Sequence, residues 1–158
     1  MANTYSQIYQ HIVFAVKGRE NLISNKWKDE LYKYISGIIS NKKQKLYIIN
    51  GMADHVHILV SMSPDMAVSE LTRDIKANSS RFINEKYLVN GKFQWQEGFG
   101  VFSVSDSQLQ TIVEYIKNQE EHHKKQTFRE EYLEFLKKYE IVFDEKYLFE
   151  FVENIPLQ

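Results

Sequence analysis

Residues 55–62 have the sequence His-Val-His-Ile-Leu-Val-Ser-Met, a stretch rich in β-branched residues that predicts a buried strand. Side chains along a strand point alternately to its two faces. One face is wholly apolar and suits packing beneath helices; it consists of Val56, Ile58, Val60 and Met62. The opposite face carries His55 and His57, so two imidazoles lie side by side on the face not used for the core.

The segments around this strand alternate between strand and helix patterns. β-branched and aromatic residues predict further strands at 5–16, 45–50 and 93–104. The last strand is expected to bend, because it contains Gly98 and Gly100. Apolar residues at helical spacing predict four helices, over residues 25–40, 67–88, 105–124 and 128–139. This order predicts an α+β fold: a ferredoxin-like split βαβ antiparallel sheet with helices on one face, plus a C-terminal helix.

Two short motifs predict where elements begin and end. The dipeptide Asn50-Gly51 predicts a turn just before the histidine strand. Ser105, with Gln108 three residues later, predicts a capping box that opens the third helix.

The composition is that of one ordinary globular domain of 158 residues. We expect residues 1–125 to form this domain and residues 126–158 to be its C-terminal helical extension. The chain has no cysteine, which excludes disulfides, thiolate metal sites and cysteine nucleophiles. No apolar run approaches the roughly 18 residues of a membrane span, and the first residues lack a signal-peptide pattern. These features predict a soluble cytoplasmic protein with no membrane association.

The net charge is only −1, but the charges are distributed unevenly. Residues 17–45 carry eight basic and three acidic side chains, whereas residues 114–158 carry seven basic and eleven acidic ones. This asymmetry predicts one electropositive face and an acidic C-terminal piece. Two ordinary solvated surfaces would produce the same pattern.

The histidine pair is a candidate metal site. A metal ion needs ligands that converge from one side, and His55 and His57 on one face of a strand meet that need. The alternative is a pair of surface histidines on a half-exposed strand.

The third predicted helix carries a second candidate pair. Its buried stripe consists of Leu109, Ile112, Val113 and Ile116. Tyr115 and Gln119 lie together on the flank of this stripe, one turn apart. The alternative is an amphipathic tyrosine at a helix edge. His122 and His123 point in different directions on the same helix, and we expect both to be solvated.

In combination, these segments resemble the single-tyrosine HUH transposases of the insertion sequence 200-like group. Residues 54–60, Asp-His-Val-His-Ile-Leu-Val, resemble the HUH motif, in which an apolar residue separates two histidines. Residues 115–119, Tyr-Ile-Lys-Asn-Gln, resemble the tyrosine-helix motif, and residues 93–105 are similar to the segment that precedes it. Two shorter stretches, 11–14 and 76–81, are also similar, so the resemblance covers about residues 5–125 in the right order.

The resemblance implies a DNA transposase that cuts and rejoins single-stranded DNA at insertion-sequence ends through a covalent 5′-phosphotyrosine intermediate. From the positions of these residues in the family motifs, the resemblance implies that Tyr115 is the nucleophile. It likewise implies that His55, His57 and Gln119 are ligands of a divalent metal, Mg²⁺ or Mn²⁺. The resemblance also implies a homodimer that recognises hairpins near the element ends, associated with DNA in a bacterial cytoplasm.

Basic residues outside these motifs are candidates for phosphate contacts. The DNA-binding candidates are Lys17, Arg19, Arg73, Lys76 and Arg81.

Three other functions remain open at this stage. A replication-initiator or host-domesticated HUH nuclease would share the chemistry but act on another DNA. A non-catalytic ferredoxin-like nucleic-acid-binding module would contain the histidines incidentally. A metal-dependent hydrolase using His55, His57 and His122 is the least favoured, because no carboxylate stands at a clear general-base spacing beside the histidine pair.

Overall fold

The computed structural model of the protein describes residues 3–144 and Leu148. Its four strands are β1 (Tyr9–Ala15), β2 (Lys45–Met52), β3 (His55–Ser61) and β4 (Gly100–Val104). They form one antiparallel sheet in the order β2-β3-β1-β4. The α-helices are α1 (Lys28–Asn41), α2 (Val68–Glu85), α3 (Leu109–Lys117), α4 (Gln119–His123) and α5 (Phe128–Lys138). Two 3₁₀ turns, Lys17–Arg19 and Asp106–Gln108, complete the elements. The predicted ferredoxin-like antiparallel sheet is confirmed, but helices cover both of its faces rather than one.

One face of the sheet packs against α1 and α2, as the alternation in β3 predicts. Each of these helices contributes a stripe of fully buried side chains, including Leu31 and Ile35 from α1 and Leu71 and Ile75 from α2. The side chains beneath them are Ile12 and Phe14 from β1 and Val56, Ile58 and Val60 from β3. Burial of each aliphatic side chain contributes about 1.5–3 kcal/mol. This apolar layer therefore stabilises the packing of α1 and α2 against the sheet.

The opposite face is covered by α3, α4 and α5. Apolar side chains of α5 pack on Val13 and Phe102, while Ile112 and Ile116 of α3 pack on Leu59. As a result, the second face of β3 is buried from His55 to Leu59 as completely as the first, while Ser61 at its end is partly exposed. The helix predicted within the extension is therefore part of the packed structure, whereas residues 145–147 and 149–158 lie outside the described residues. The domain boundary at residue 125 stays a prediction.

The segment before β4 is less regular than the sequence predicts. Only Gly100–Val104 joins the sheet, and residues 93–99 touch it through one isolated bridge between Val16 and Trp95. Side chains of α2 hold this segment instead, because Asn84 both donates to and accepts from the backbone of Phe93. Trp95 is buried and donates to Ser79 Oγ at 2.8 Å, which places it in the core.

The predicted third helix is divided, and its predicted capping box is wrong. The Ser105 hydroxyl contacts the Ser107 hydroxyl at 3.1 Å and caps no helix. A complete capping box forms instead at the start of α5. There the side chains of Thr127 and Glu130 each accept a hydrogen bond from the backbone N–H of the other residue.

The turn predicted at Asn50-Gly51 is also wrong, because both residues lie inside β2. The chain turns at residues 53–54 instead. A glycine is nevertheless required here. A methyl group on Gly51 would overlap the carbonyl oxygen of His55 and lie 2.8 Å from Val56 Cα, and both are backbone atoms. The β2–β3 hairpin that carries the histidines can therefore form only with a residue that has no side chain at position 51.

We expect Gly51→Ala to lower the free energy of unfolding by about 3 kcal/mol, since overpacking against backbone forces the strands apart. Gly37→Ala is the matched control: it lies within α1 with nothing within 4 Å of the added methyl. That change is expected to stabilise the protein by about 0.5–1 kcal/mol, because alanine favours a helix interior. Urea unfolding curves of both variants measure the difference, and equal stabilities would contradict the packing described.

Within the described part of the chain, none of the helices combines the length and apolar character that a membrane crossing requires.

Candidate active site

Four buried polar side chains converge on the second face of the sheet. His55 and His57 come from β3, Gln119 begins α4, and Glu131 lies in α5; each is at most 1% exposed. His57 Nε2 lies 3.0 Å from Glu131 Oε1, and His55 Nε2 lies 3.0 Å from Gln119 Oε1. Gln119 Nε2 donates to Glu131 Oε2 at 3.1 Å. Ligand atoms of the two histidines and Glu131 all fall within 4.8 Å of one another.

The donor set of this cluster fits a divalent cation. His55 Nδ1 lies 2.7 Å from Asp54 Oδ1, and since a carboxylate only accepts, that ring nitrogen carries the proton. In the neutral imidazole, the Nε2 lone pair then faces the oxygens of Gln119 and Glu131, at 3.0 and 3.5 Å. Lone pairs that face one another repel, whereas all three atoms could act as ligands of a cation. Imidazole nitrogen with amide and carboxylate oxygen is a common ligand combination for divalent metals.

Charge within the cluster is concentrated on Glu131. Burial raises the pKa of this carboxyl, but His57 and His123 outweigh burial and hold it well below the ordinary value. Burial lowers the pKa of His57 despite the neighbouring carboxylate. The site therefore combines a buried carboxylate with His57, whose charged form burial disfavours, and a cation would complement the carboxylate.

Tyr115 reaches this cluster from α3. Its ring stacks on His122 at a centroid distance of 4.4 Å, and its hydroxyl donates to Glu131 Oε2 in a short hydrogen bond. Burial, and then the adjacent Glu131, raise the pKa of Tyr115 far above the ordinary value of a phenol. The hydroxyl consequently holds its proton, and the acceptor nearest that proton is a carboxylate oxygen of the cluster.

A break after α3 places Gln119 against His55. Asn50 Nδ2, on β2, donates to the carbonyl oxygens of Ile116 and Lys117 at 3.0 and 3.2 Å. In a continuous helix those carbonyls would accept from residues four positions later. The chain instead leaves helical geometry at Asn118 and begins α4 with Gln119.

We expect Asn50→Ala to lower the free energy of unfolding by about 1–2 kcal/mol, because two carbonyl groups at the end of α3 lose their donor. Asn78→Ala is the control: its amide donates to the Asp74 carbonyl within α2, where alanine is the better helix former. The control is expected to show no loss in chemical denaturation. Equal losses in the two variants would show that Asn50 does not hold the end of α3.

Two residues outside the predicted set, Glu131 and His11, also lie in the site. Glu131 lies in the buried stripe of α5 between Phe128 and Phe135, and a charged residue in such a stripe signals a buried, partnered carboxylate. His11 is buried on β1, and its Nε2 lies 2.8 Å from His57 Nδ1. The alternation of β1 places it on the histidine face, a signal available from sequence.

One sequence-based expectation about this site is wrong. His123 is not solvated: its side chain is 8% exposed, and Nε2 lies 3.3 Å from Glu131 Oε1. The sequence shows no carboxylate at a clear general-base spacing beside the histidine pair, and the carboxylate that contacts the pair lies far away in sequence: Glu131 is in a helix 74 residues after His57.

The predicted DNA-binding residues fall into two groups. Arg73, Lys76 and Arg81 line a groove of about 800 Å³ between α2 and residues 92–99. Lys76 Nζ donates to the carbonyls of that segment, so it also holds the groove wall. These three side chains share one surface, and their contact with DNA stays a prediction.

The remaining two candidates lie near the turn after β1. Lys17 is exposed, whereas Arg19 is buried and forms an ion pair with Asp54 Oδ2 at 3.3 Å. Arg19 thus holds the carboxylate that orients His55, and its contact with DNA likewise stays a prediction.

The profile of the family described as Transposase IS200 like matches residues 4–119. The chain belongs to this family. It is 25% identical to the ISDra2 transposase TnpA of Deinococcus radiodurans over 118 residues, which cover 72% of this chain and 84% of that protein. It is 27% identical to the transposase for insertion sequence element IS200 of Salmonella typhimurium over 129 residues, covering 78% and 84% of the two chains. The protein is therefore a transposase, a DNA-processing enzyme.

Solved structures show the same fold. A crystal structure of a Deinococcus radiodurans protein, assigned as a transposase, has a TM-score of 0.60 and 24% identity, covering 74% of this chain and 94% of that one. The REP-associated tyrosine transposase bound to a REP hairpin has the same TM-score with 14% identity, covering 77% and 72% of the two chains.

Proposed function

We propose that this transposase cuts and rejoins single-stranded DNA at insertion-sequence ends through a covalent 5′-phosphotyrosine intermediate. One observation carries the proposal: the Tyr115 hydroxyl meets the same carboxylate, Glu131, that contacts His57. The phenol of Tyr115 therefore lies beside the candidate metal ligands within a single chain, although these residues are far apart in sequence.

We assign the nucleophile to Tyr115 and the cation ligands to His55, His57 and Gln119, with Glu131 as an additional carboxylate ligand. When bound, Mg²⁺ or Mn²⁺ would neutralise charge on a phosphate oxygen and hold the phosphate in line. Asp54 fixes the orientation of His55 through its hydrogen bond.

The proposed reaction conserves the energy of the broken bond. The phenolic oxygen of Tyr115 forms a bond to phosphorus while the bond from phosphorus to the 3′ oxygen breaks. The phenolic proton has an acceptor in Glu131 Oε2, and the departing 3′ oxygen takes a proton from water to become a free 3′ hydroxyl. A 3′ hydroxyl can later attack the phosphotyrosine, which restores a phosphodiester and the phenol without ATP.

The proposed partner is single-stranded DNA with hairpin ends. We propose that the protein acts on this DNA in a bacterial cytoplasm. The cations of the α2 groove, together with Lys17, supply candidate phosphate contacts. A structural relative bound to a hairpin supports this substrate class. Each chain has one candidate tyrosine and excision involves two DNA ends, so we propose that the protein acts as a homodimer.

A single assay tests the proposal. Oligonucleotides from the insertion-sequence ends, labelled on either side of the cleavage site, are incubated with the protein and Mg²⁺ or Mn²⁺ and separated under denaturing conditions. We expect a covalent adduct carrying only the 5′-phosphate fragment, abolished by EDTA and absent with fully duplex DNA. Cleavage without an adduct would indicate a hydrolase, and binding without cleavage would indicate a non-catalytic module. An adduct only with DNA unrelated to an element would indicate a domesticated nuclease.

A further inference from the structure

The two strand histidines differ in what their second ring nitrogen contacts. His55 Nδ1 faces the Asp54 carboxylate, whereas His57 Nδ1 faces another imidazole, that of His11, at 2.8 Å. The rings of His11 and His57 stack with centroids 5.0 Å apart and an interplanar angle of 30°. Since β1 and β3 are neighbours in the sheet, the backbone fixes this pair.

We propose that His11 is a positioning residue that accepts the Nδ1 proton of His57 and so directs the Nε2 lone pair of His57 toward the cation. The proposal rests on the function proposed above, because it concerns the same site. It adds to that function a residue outside the histidine motif and the tyrosine helix.

Burial makes this contact obligatory. His11 is 1% exposed and His57 is fully buried. Phe102 and Phe135 pack edge-on against the His11 ring, at centroid distances of 6.1 and 5.2 Å, and offer no hydrogen-bonding group of their own. A buried polar atom without a partner costs about 1–3 kcal/mol. Each histidine therefore depends on the other for this hydrogen bond.

The pair can form the hydrogen bond in two ways, because a neutral imidazole has one protonated and one unprotonated nitrogen. With no cation bound, His57 Nε2–H donates to Glu131 Oε1, and His11 Nε2–H donates to His57 Nδ1. Were Nε2 to bind a cation, His57 would carry its proton on Nδ1 and donate to His11 Nε2. The proton on His11 then resides on Nδ1, so each ring keeps one proton and neither changes charge.

This arrangement distinguishes the two motif histidines. Asp54 can only accept, so His55 keeps its proton on Nδ1 whether or not a cation is present. His11 can accept or donate, so His57 is able to satisfy Glu131 when the cation is absent and to bind the cation when it is present. On this proposal the tautomer of His57 would differ between the cation-free and cation-bound protein, whereas that of His55 would not.

Nitrogen NMR of protein labelled with ¹⁵N-histidine tests the tautomers directly, with Mg²⁺ as a diamagnetic probe. We expect His57 to change from Nε2–H to Nδ1–H on Mg²⁺ addition, while His55 stays Nδ1–H and serves as the internal control. A His57 that remains protonated on Nε2 in saturating Mg²⁺ would overturn the proposal. This arm needs no variant, so it stands even where a substitution prevents folding.

Mn²⁺ affinity, measured by electron paramagnetic resonance, tests the role of His11. His11→Phe keeps a ring among the aromatic neighbours but removes the acceptor, and we expect the dissociation constant to rise about 10- to 100-fold. His11→Gln supplies an amide oxygen at a similar reach, and its dissociation constant should stay within about three-fold of wild type. Val13→Ala is the control, because it removes buried volume from the same face of β1 without removing a hydrogen bond.

The results separate this proposal from the proposed function. A His11→Phe protein that binds Mn²⁺ as tightly as wild type would overturn the role of His11 alone. A wild-type protein that binds neither Mn²⁺ nor Mg²⁺ would overturn the cation site and, with it, the role of His11. A His11→Gln protein as weak as His11→Phe would also contradict the acceptor role.

Discussion

Replacing Tyr115 with phenylalanine is expected to abolish both cleavage of single-stranded DNA and the covalent protein–DNA species, a loss of more than about 10⁴-fold. The substitution removes one oxygen, the atom assigned to attack phosphorus. It leaves the ring contacts of Tyr115 with His122 and Phe135 in place. DNA binding should therefore be retained, as measured by mobility shift of the same oligonucleotide.

The matched control is Tyr34→Phe. Tyr34 lies in α1, on the other side of the sheet, where its ring stacks on Phe82 at 4.3 Å. This variant should cleave and form adduct as wild type does. A covalent adduct formed by the Tyr115→Phe protein would show that another residue is the nucleophile, and equal loss in both variants would point to a general defect in folding.

Much of the fold and part of the candidate site follow from local patterns. The alternation in β3 is sufficient to predict that His55 and His57 share a face, and helical spacing predicts that Tyr115 and Gln119 are close. The order of strands and helices matches a split βαβ arrangement, in which the first strand lies between the third and the fourth, and it thereby predicts the sheet topology. All of these features depend on residues near one another in the chain or on the order of elements.

The remaining parts of the site depend on packing between distant segments. The third predicted helix breaks because the side-chain amide of Asn50, on β2, donates hydrogen bonds to the carbonyls of Ile116 and Lys117. No residue within 105–124 marks that break. Similarly, whether the histidine face is exposed depends on α3, α4 and α5 covering it, and strand alternation alone does not show which helices cover a face.

Glu131 is the clearest case of a site residue that local reasoning misses. Sequence motifs point to His55, His57 and Gln119, yet the structure places a carboxylate from α5 in contact with all three. A buried carboxylate contributes a full negative charge, which the neutral amide of Gln119 lacks. We infer that Glu131 supplies most of the electrostatic attraction for the cation.

Glu131→Gln is accordingly expected to weaken Mn²⁺ binding by about 100-fold or more, since loss of a buried charged partner costs about 3 kcal/mol or more, and to reduce adduct formation in parallel. Glu134→Gln is the control: it makes the same change of charge one turn later in α5, on an exposed side chain. The two variants carry equal net charge, so a difference between their Mn²⁺ affinities reports the position of the carboxylate rather than the overall charge. Equal affinities would mean that Glu131 is not a ligand and that its hydrogen bonds only shape the site around Tyr115.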